Sequence, residues 1–214
     1  MYNKVRELRA LCFLGRGKMS ENRGTKSTRF PIYYNSPVIL SFALVALIIF
    51  VVNDRTNMDI ISKYFCVYRS SFSLGWVVRL FGHVLGHASW NHYINNMMLL
   101  LLVGPMLEEK YGSKALLEMI LITAAFTGLC NIFLFKTALL GASGIVFMMI
   151  VLSSVTHVRN RQLPMTLIVV VLLYLGEQVY DGAFKQDNIS QLTHIVGGLL
   201  GGIYGLLLAG DHGK

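Results

Sequence analysis

Leu139-Leu140-Gly141-Ala142-Ser143-Gly144-Ile145 is the stretch that decides how this chain is read. A serine flanked by glycines opens an apolar run that ends near His157. Serines in membrane spans are ordinarily packing residues whose hydroxyls bond back to a carbonyl one turn earlier. Two features set this one apart. His194 sits near the start of the last apolar run, and His92 and Asn96 sit one helical turn apart near the start of the second.

The chain has 214 residues, 54% of them hydrophobic and 14% charged. A soluble domain averages about a quarter charged. The apolar residues fall in long runs, which predicts an all-α polytopic membrane protein built as one bundle. No cleavable signal pattern opens the chain, so the first span is expected to act as its own insertion signal. The formal net charge of +8 is read as topology rather than nucleic-acid binding. Lys4, Arg6, Arg9, Arg16, Lys18, Arg23, Lys26 and Arg29 face only Glu7 and Glu21 in the first segment, a positive-inside cluster suited to contact with anionic lipid. Cys12, Cys66 and Cys130 form no CxxC pair, so a zinc ribbon or redox motif is unsupported and no disulfide is expected.

The expected organisation is a basic cytoplasmic tail over 1–35, a six-helix membrane domain over 36–210 and a short cytoplasmic tail over 211–214. Spans are predicted at about 37–53, 90–107, 115–135, 141–157, 164–180 and 189–209. Residues 54–89 read as a long first loop. Its scattered aromatics (Tyr64, Phe65, Tyr68, Phe72, Trp76, Phe81) and arginines (Arg69, Arg79) suit the headgroup layer of the outer leaflet. With the N-terminus inside, the inner segments hold thirteen of the nineteen basic residues. That bias supports six spans with both termini cytoplasmic. In this topology the second, fourth and sixth spans all start from outside. His92, Ser143 and His194 therefore share one depth. A helix from Ser143 to His157 rises about 21 Å, short of the roughly 30 Å hydrocarbon core. Residues 137–142 must then be irregular backbone inside the membrane, tolerated only where protein or a wet cavity surrounds it. Ser143 is thus expected at the floor of an aqueous pocket.

At the start of a helix, Ser143 lies beside free amides and the positive dipole end, a setting that stabilises an oxyanion. Gly141 and Gly144 allow a tight turn and close approach of a neighbour. His194 is the candidate base, since a serine hydroxyl needs one to become a nucleophile. Gly197, Gly201 and Gly205, and likewise Gly198 and Gly202, repeat every four residues; such faces let two spans pack closely. That packing would carry the imidazole to the Ser143 hydroxyl. His92 and Asn96 share one helical face and suit donors to a developing oxyanion. No acid stands where it would complete a triad, apart from a remote option at Glu177, so a dyad is the simpler arrangement. His83, His87 and His92 form a possible metal cluster, but HExxH is absent from His83-Val84-Leu85-Gly86-His87 and the general base is missing. No metal and no cofactor are expected. His157 and His212 lie away from this chemistry, and the methionines read as packing.

His92-xxx-Asn96, Gly141-Ala142-Ser143-Gly144 and His194-xx-Gly197-xxx-Gly201 together resemble the rhomboid intramembrane serine proteases. Phe81-Gly82-His83-xxx-His87 and Glu108 with Gly112 add to the resemblance, which spans about 76–208. It implies a six-helix rhomboid-like core with a half-submerged first loop. It also implies Ser143 as nucleophile, His194 as general base, and His92, Asn96 and the Ser143 amide as oxyanion donors. The implied substrates are single-pass transmembrane proteins cut in or near the membrane helix. Two departures stand out: Phe147 replaces a tyrosine common in the family, and the first loop has Trp76-Val77-Val78-Arg79 in place of an adjacent Trp-Arg pair. A non-catalytic escort of membrane clients is the rival reading, with a histidine-ligated metal hydrolase or a small transporter behind it. A bacterial inner membrane is the expected location, and no feature bears on oligomeric state.

Overall fold

Helix α1 (Pro37–Thr56) starts on a proline, whose missing N–H costs nothing at a first helical position. Its next two amides are capped from a distance. Val38 N and Ile39 N donate to the two carboxylate oxygens of Glu108 at 2.9 and 3.0 Å. The Ser113 hydroxyl donates to the same carboxylate at 2.7 Å. Glu108 is 4% exposed, and a buried carboxylate needs such donors and the positive helix end to remain there. One side chain thereby joins the starts of α1 and α5 (Ser113–Leu134) to the end of α4 (Trp90–Tyr111). The α4–α5 turn uses Gly112 at φ +83°, a conformation that favours glycine.

The computed structural model describes residues 34–56, 58–155 and 188–209, with isolated helical positions at 165, 169 and 172. Among them the chain is helical, apart from loops and one isolated antiparallel bridge between Val67 and Leu139. All of the expected fifth span but those three isolated positions, and Glu177, His157, His212, Cys12 and nearly all of the N-terminal tail, lie outside the described residues. Cys66 and Cys130 are both free thiols.

Two described helices, α1 and α5, are long and apolar enough to cross a membrane. Only 22% of the most apolar window of α1 is buried. A core helix of a soluble protein would hide most of such a surface. Helix α6 (Ser143–Val155) has the opposite character. It is apolar all round, and Ile145, Met148, Met149 and Leu152 are fully buried. It is the central strut, packed by α4, α5 and α7 (Asn188–Ala209).

The first loop is more ordered than its composition suggests. It contains α2 (Ile60–Tyr64), α3 (Leu74–Gly82) and a 3₁₀ turn over His83–Leu85. Ser73 caps α3 by accepting the Trp76 amide at 3.1 Å. Leu80 turns inward against α5, where Gly128 leaves room for it, while Leu74, Val78 and Phe81 stay exposed. The spaced tryptophan and arginine still anchor the loop. Arg79 lies 4.6 Å over the Tyr68 ring and donates to the Ser70 hydroxyl at 2.7 Å. Arg69 donates to the carbonyls of Ile132 and Phe133 at 2.8 and 2.7 Å, capping the end of α5.

Candidate active site

The backbone leading into α6 is irregular, as the length argument requires, and protein groups satisfy it. Val67 and Leu139 exchange both backbone hydrogen bonds at 2.9 Å. Asn131 Nδ2 donates to the Val67 and Thr137 carbonyls at 3.3 and 2.9 Å. Gly141 N donates to the His83 carbonyl at 2.9 Å. Polar backbone can therefore sit at membrane depth without exposure to lipid.

This clamp delivers a sharp turn at Gly141, which has φ +122°. A Cβ there would lie 2.7 Å from Cε1 and Nε2 of His92. The glycine is required twice, by conformation and by the imidazole pressed on it. Ala142 follows, fully buried, and Ser143 opens the helix half-buried.

On the other side, α7 lies against α6 with almost no spacing. A Cβ at Gly197 would run into the Gly144 carbonyl oxygen, and one at Gly201 into the Met148 carbonyl oxygen. One at Gly205 would fall 2.6 Å from Val155. The second glycine row behaves differently, since Gly198 meets Val151 at 3.6 Å, an ordinary contact. At the upper end of this seam a Cβ on Gly144 would lie 2.9 Å from the Thr193 methyl. The next residue, His194, is 9% exposed, and its ring lies 4.6 Å from the Phe147 ring at a 36° tilt. Phe147 thus packs its ring on the candidate base. His92 and His194 are within electrostatic reach of one another.

Asn96 lies one turn below His92 and is 7% exposed. Its Nδ2 donates to the His92 carbonyl at 2.9 Å. An amide nitrogen carries two hydrogens, so one is left for another acceptor. Ser89 caps α4 by accepting the His92 amide at 3.2 Å, which fixes where His92 starts the helix. His92 therefore lies on Gly141, two residues before Ser143, while Thr193 and His194 lie against Gly144 and Phe147, just after it.

The remaining histidines are tied elsewhere. His83 Nδ1 bonds the Leu80 carbonyl at 3.0 Å and Nε2 bonds the Thr127 hydroxyl at 3.3 Å, which occupies both ring nitrogens. His87 Nδ1 bonds the Leu85 carbonyl at 3.1 Å, and its ring packs edge-on against His92 at 5.1 Å. The His83 backbone carbonyl, held in place by these ring contacts, braces the Gly141 turn. A cavity of about 460 Å³ lies beside this turn, lined by residues including Asp54, His87, Ser89 and Leu140. Ser143 itself does not line it.

Residues 74–211 match the family model of the Rhomboid domain. The chain belongs to the rhomboid family. It is similar to "Rhomboid protease GluP" of Bacillus subtilis (strain 168), with 29% identity over 211 residues. That match takes in 92% of this chain and 40% of the Bacillus protein, so the chain spans about two fifths of its relative's length. The all-helical architecture and the two membrane-length helices agree with membership of this membrane-embedded family. Val67 and Asn131, which with the His83 carbonyl pin the turn before Ser143 in this rhomboid, carry no mark in the sequence, where His83 stands out only as one of a histidine group. Their contacts run between distant segments and leave no local periodic signal.

Proposed function

We propose that this rhomboid is an intramembrane serine protease in which Ser143 attacks a peptide carbonyl and His194 is its general base. The observation that carries the reading is the α6–α7 seam. Glycines press the two backbones together directly below Ser143, and Phe147 orients the His194 ring. A hydroxyl beside an imidazole loses its proton as it attacks, which a lone serine cannot do at neutral pH. His92, Asn96 and the amides at the start of α6 supply hydrogen bonds to the anion that forms. The His194 proton then passes to the leaving amine, and water releases the acyl group.

The substrates in this reading are single-pass membrane proteins. A helix hides its scissile carbonyls in its own hydrogen bonds, so the substrate must unwind near the outer mouth of the site. The six-span topology with cytoplasmic termini and the bacterial inner membrane belong to the same proposal. The Bacillus relative, named a protease, favours an enzyme over the escort reading.

The test is labelling of the purified protein in detergent by a fluorophosphonate, with cleavage of a model transmembrane substrate measured in parallel. Wild type should be labelled at Ser143 alone, and Ser143→Ala and His194→Ala should neither label nor cleave. Cleavage that survives in folded Ser143→Ala would sink the mechanism. Absent labelling with intact client binding would favour the escort.

A further inference from the structure

We infer that the cavity of about 460 Å³ between the end of α1 and the start of α4 is a subsite for a lysine or arginine side chain of the substrate, taken from the stretch just outside its membrane helix. The inference rests on the protease reading and its topology, in which these two helix ends face outward. The cavity is close to the cut. Leu140, which lines it, stands before Ser143 at a chain distance of at most about 11 Å. His87, which also lines it, packs edge-on against His92 with ring centroids 5.1 Å apart. An extended substrate advances about 3.3 Å per residue, so a side chain about three or four residues from the scissile bond reaches the cavity.

Acceptors dominate the polar lining, and no described lysine or arginine balances them. Asp54 and Asp59 both line the cavity. Asp59 occupies the N-cap position of α2, yet its side chain caps nothing. Asn53 has taken that duty, its Oδ1 accepting the Ile61 amide at 3.0 Å. Asp54 meets its neighbour Arg55 at 3.9 Å with both side chains well exposed, a pair that contributes little. His87 is 1% exposed. Its Nδ1 donates to the Leu85 carbonyl and so carries the proton, while Nε2 has no hydrogen-bond partner among the described residues. Burial, with His92 beside it, holds the His87 pKa down to about 4. At pH 7 its Nε2 therefore presents a lone pair that lacks a donor.

Two carboxylates and an open imidazole nitrogen are complemented by a cationic donor. A bare metal ion is a poor match, because no three His, Cys, Asp or Glu side chains among the described residues are grouped to hold one. The rest of the lining favours a cation carried on an apolar stem. Phe50 and Ile61, both buried, form with Leu140 an apolar floor for the methylenes. Trp90, edge-on to Phe50 at 4.8 Å and exposed, adds an aromatic wall that favours a cation. Outward-facing stretches of membrane proteins are poor in lysine and arginine, so this preference selects a minority of clients.

The experiment uses the full chain and single-pass substrates that carry Lys, Ala or Glu at one position at a time across the stretch just outside the cut. The readout is the Lys-to-Glu ratio of kcat/KM at each position, in low and high salt. Wild type should favour Lys over Glu roughly five- to tenfold at one position, as expected of two carboxylates at a partly exposed site. That ratio should fall in high salt. Asp54→Asn with Asp59→Asn should bring it near unity. If that pair does not fold, Ser62→Lys, on an exposed position of the lining, should do the same. A general loss of rate leaves the ratio unmoved, so a merely structural effect does not mimic the result. Binding of the same substrates to Ser143→Ala, read by fluorescence anisotropy in detergent, supplies a second arm. Binding that depends on Lys and on Asp59, without cleavage by the wild type, would sink the protease reading and support the subsite. Equal handling of Lys and Glu at every position in both arms, or a preference that persists in the folded variants, would overturn the subsite.

Discussion

Gly197→Ala is the sharpest probe of how this rhomboid is assembled, with Gly198→Ala as its control. Both substitutions add one methyl group to α7 and gain the same helical preference over glycine, about 1 kcal/mol. They differ in what the methyl meets. At Gly198 it makes a 3.6 Å contact with Val151. At Gly197 it strikes the Gly144 carbonyl oxygen, a backbone atom that has no alternative rotamer. An ordinary contact begins near 3.4 Å, so the seam must open by about 1 Å at the level of Ser143, a displacement that can cost on the order of 100-fold in rate. Overpacking of this kind costs about 1–3 kcal/mol. The difference between the two variants isolates that cost because their backbone gain is shared. Equilibrium unfolding in mixed micelles reads the stability, and the rate of fluorophosphonate labelling reads the Ser143–His194 geometry. Gly198→Ala should match or exceed the wild type in both. If Gly197→Ala unfolds with Gly198→Ala and labels at the wild-type rate, the seam does not position the site.

Four other outcomes follow from named contacts. Glu108→Ala releases the α1 amides and the Ser113 hydroxyl, and should lower stability by at least about 2–3 kcal/mol in thermal unfolding, since bonds to a charged group are worth about that much; Glu108→Gln keeps one acceptor and should lose less. Phe147→Ala should slow labelling of Ser143 by roughly two- to tenfold, the rate equivalent of a ring contact worth about 0.5–1.5 kcal/mol, whereas Phe147→Tyr should not. Asn96→Ala should reduce substrate cleavage about 100- to 1,000-fold with little change in unfolding, as for one oxyanion donor. Burial pushes the His83 pKa down to about 4, so the folded chain holds this ring neutral while the unfolded chain protonates it below about 6.5. Stability from this group is complete above that value and is lost as pH falls toward 4, by up to about 1.4 kcal/mol per pH unit. Unfolding free energies at pH 7 and pH 5 should therefore differ by about 2 kcal/mol less in His83→Gln than in the wild type.

The rival roles of the histidines show where sequence reading runs short. His83, His87 and His92 look alike in a string, and their spacing allows a shared metal as readily as three separate duties. Their hydrogen bonds separate them: His83 braces the Gly141 turn through Thr127 and its own carbonyl, His87 packs on His92, and His92 lies on Gly141. The two glycine rows of α7 are a second case. The every-fourth-residue pattern marks both, yet only the row at 197, 201 and 205 lies hard against its neighbour, on backbone at 197 and 201 and on the Val155 side chain at 205.

Local chemistry was legible in the sequence. Long apolar runs require lipid, a short fourth run requires irregular backbone before it, and a flanked serine, a distant histidine and a His-Asn pair at one helical turn suggest one site. These follow from hydrophobicity, helical rise and residue type, which are properties of neighbours along the chain. The tertiary structure alone decided that Glu108 starts two helices and that Val67, Asn131 and the His83 carbonyl hold the backbone ahead of Ser143. Those contacts join residues about 60 to 70 positions apart, or satisfy single buried amides and carbonyls. No period or motif records such a partner, because the requirement arises only when packing removes water from that atom.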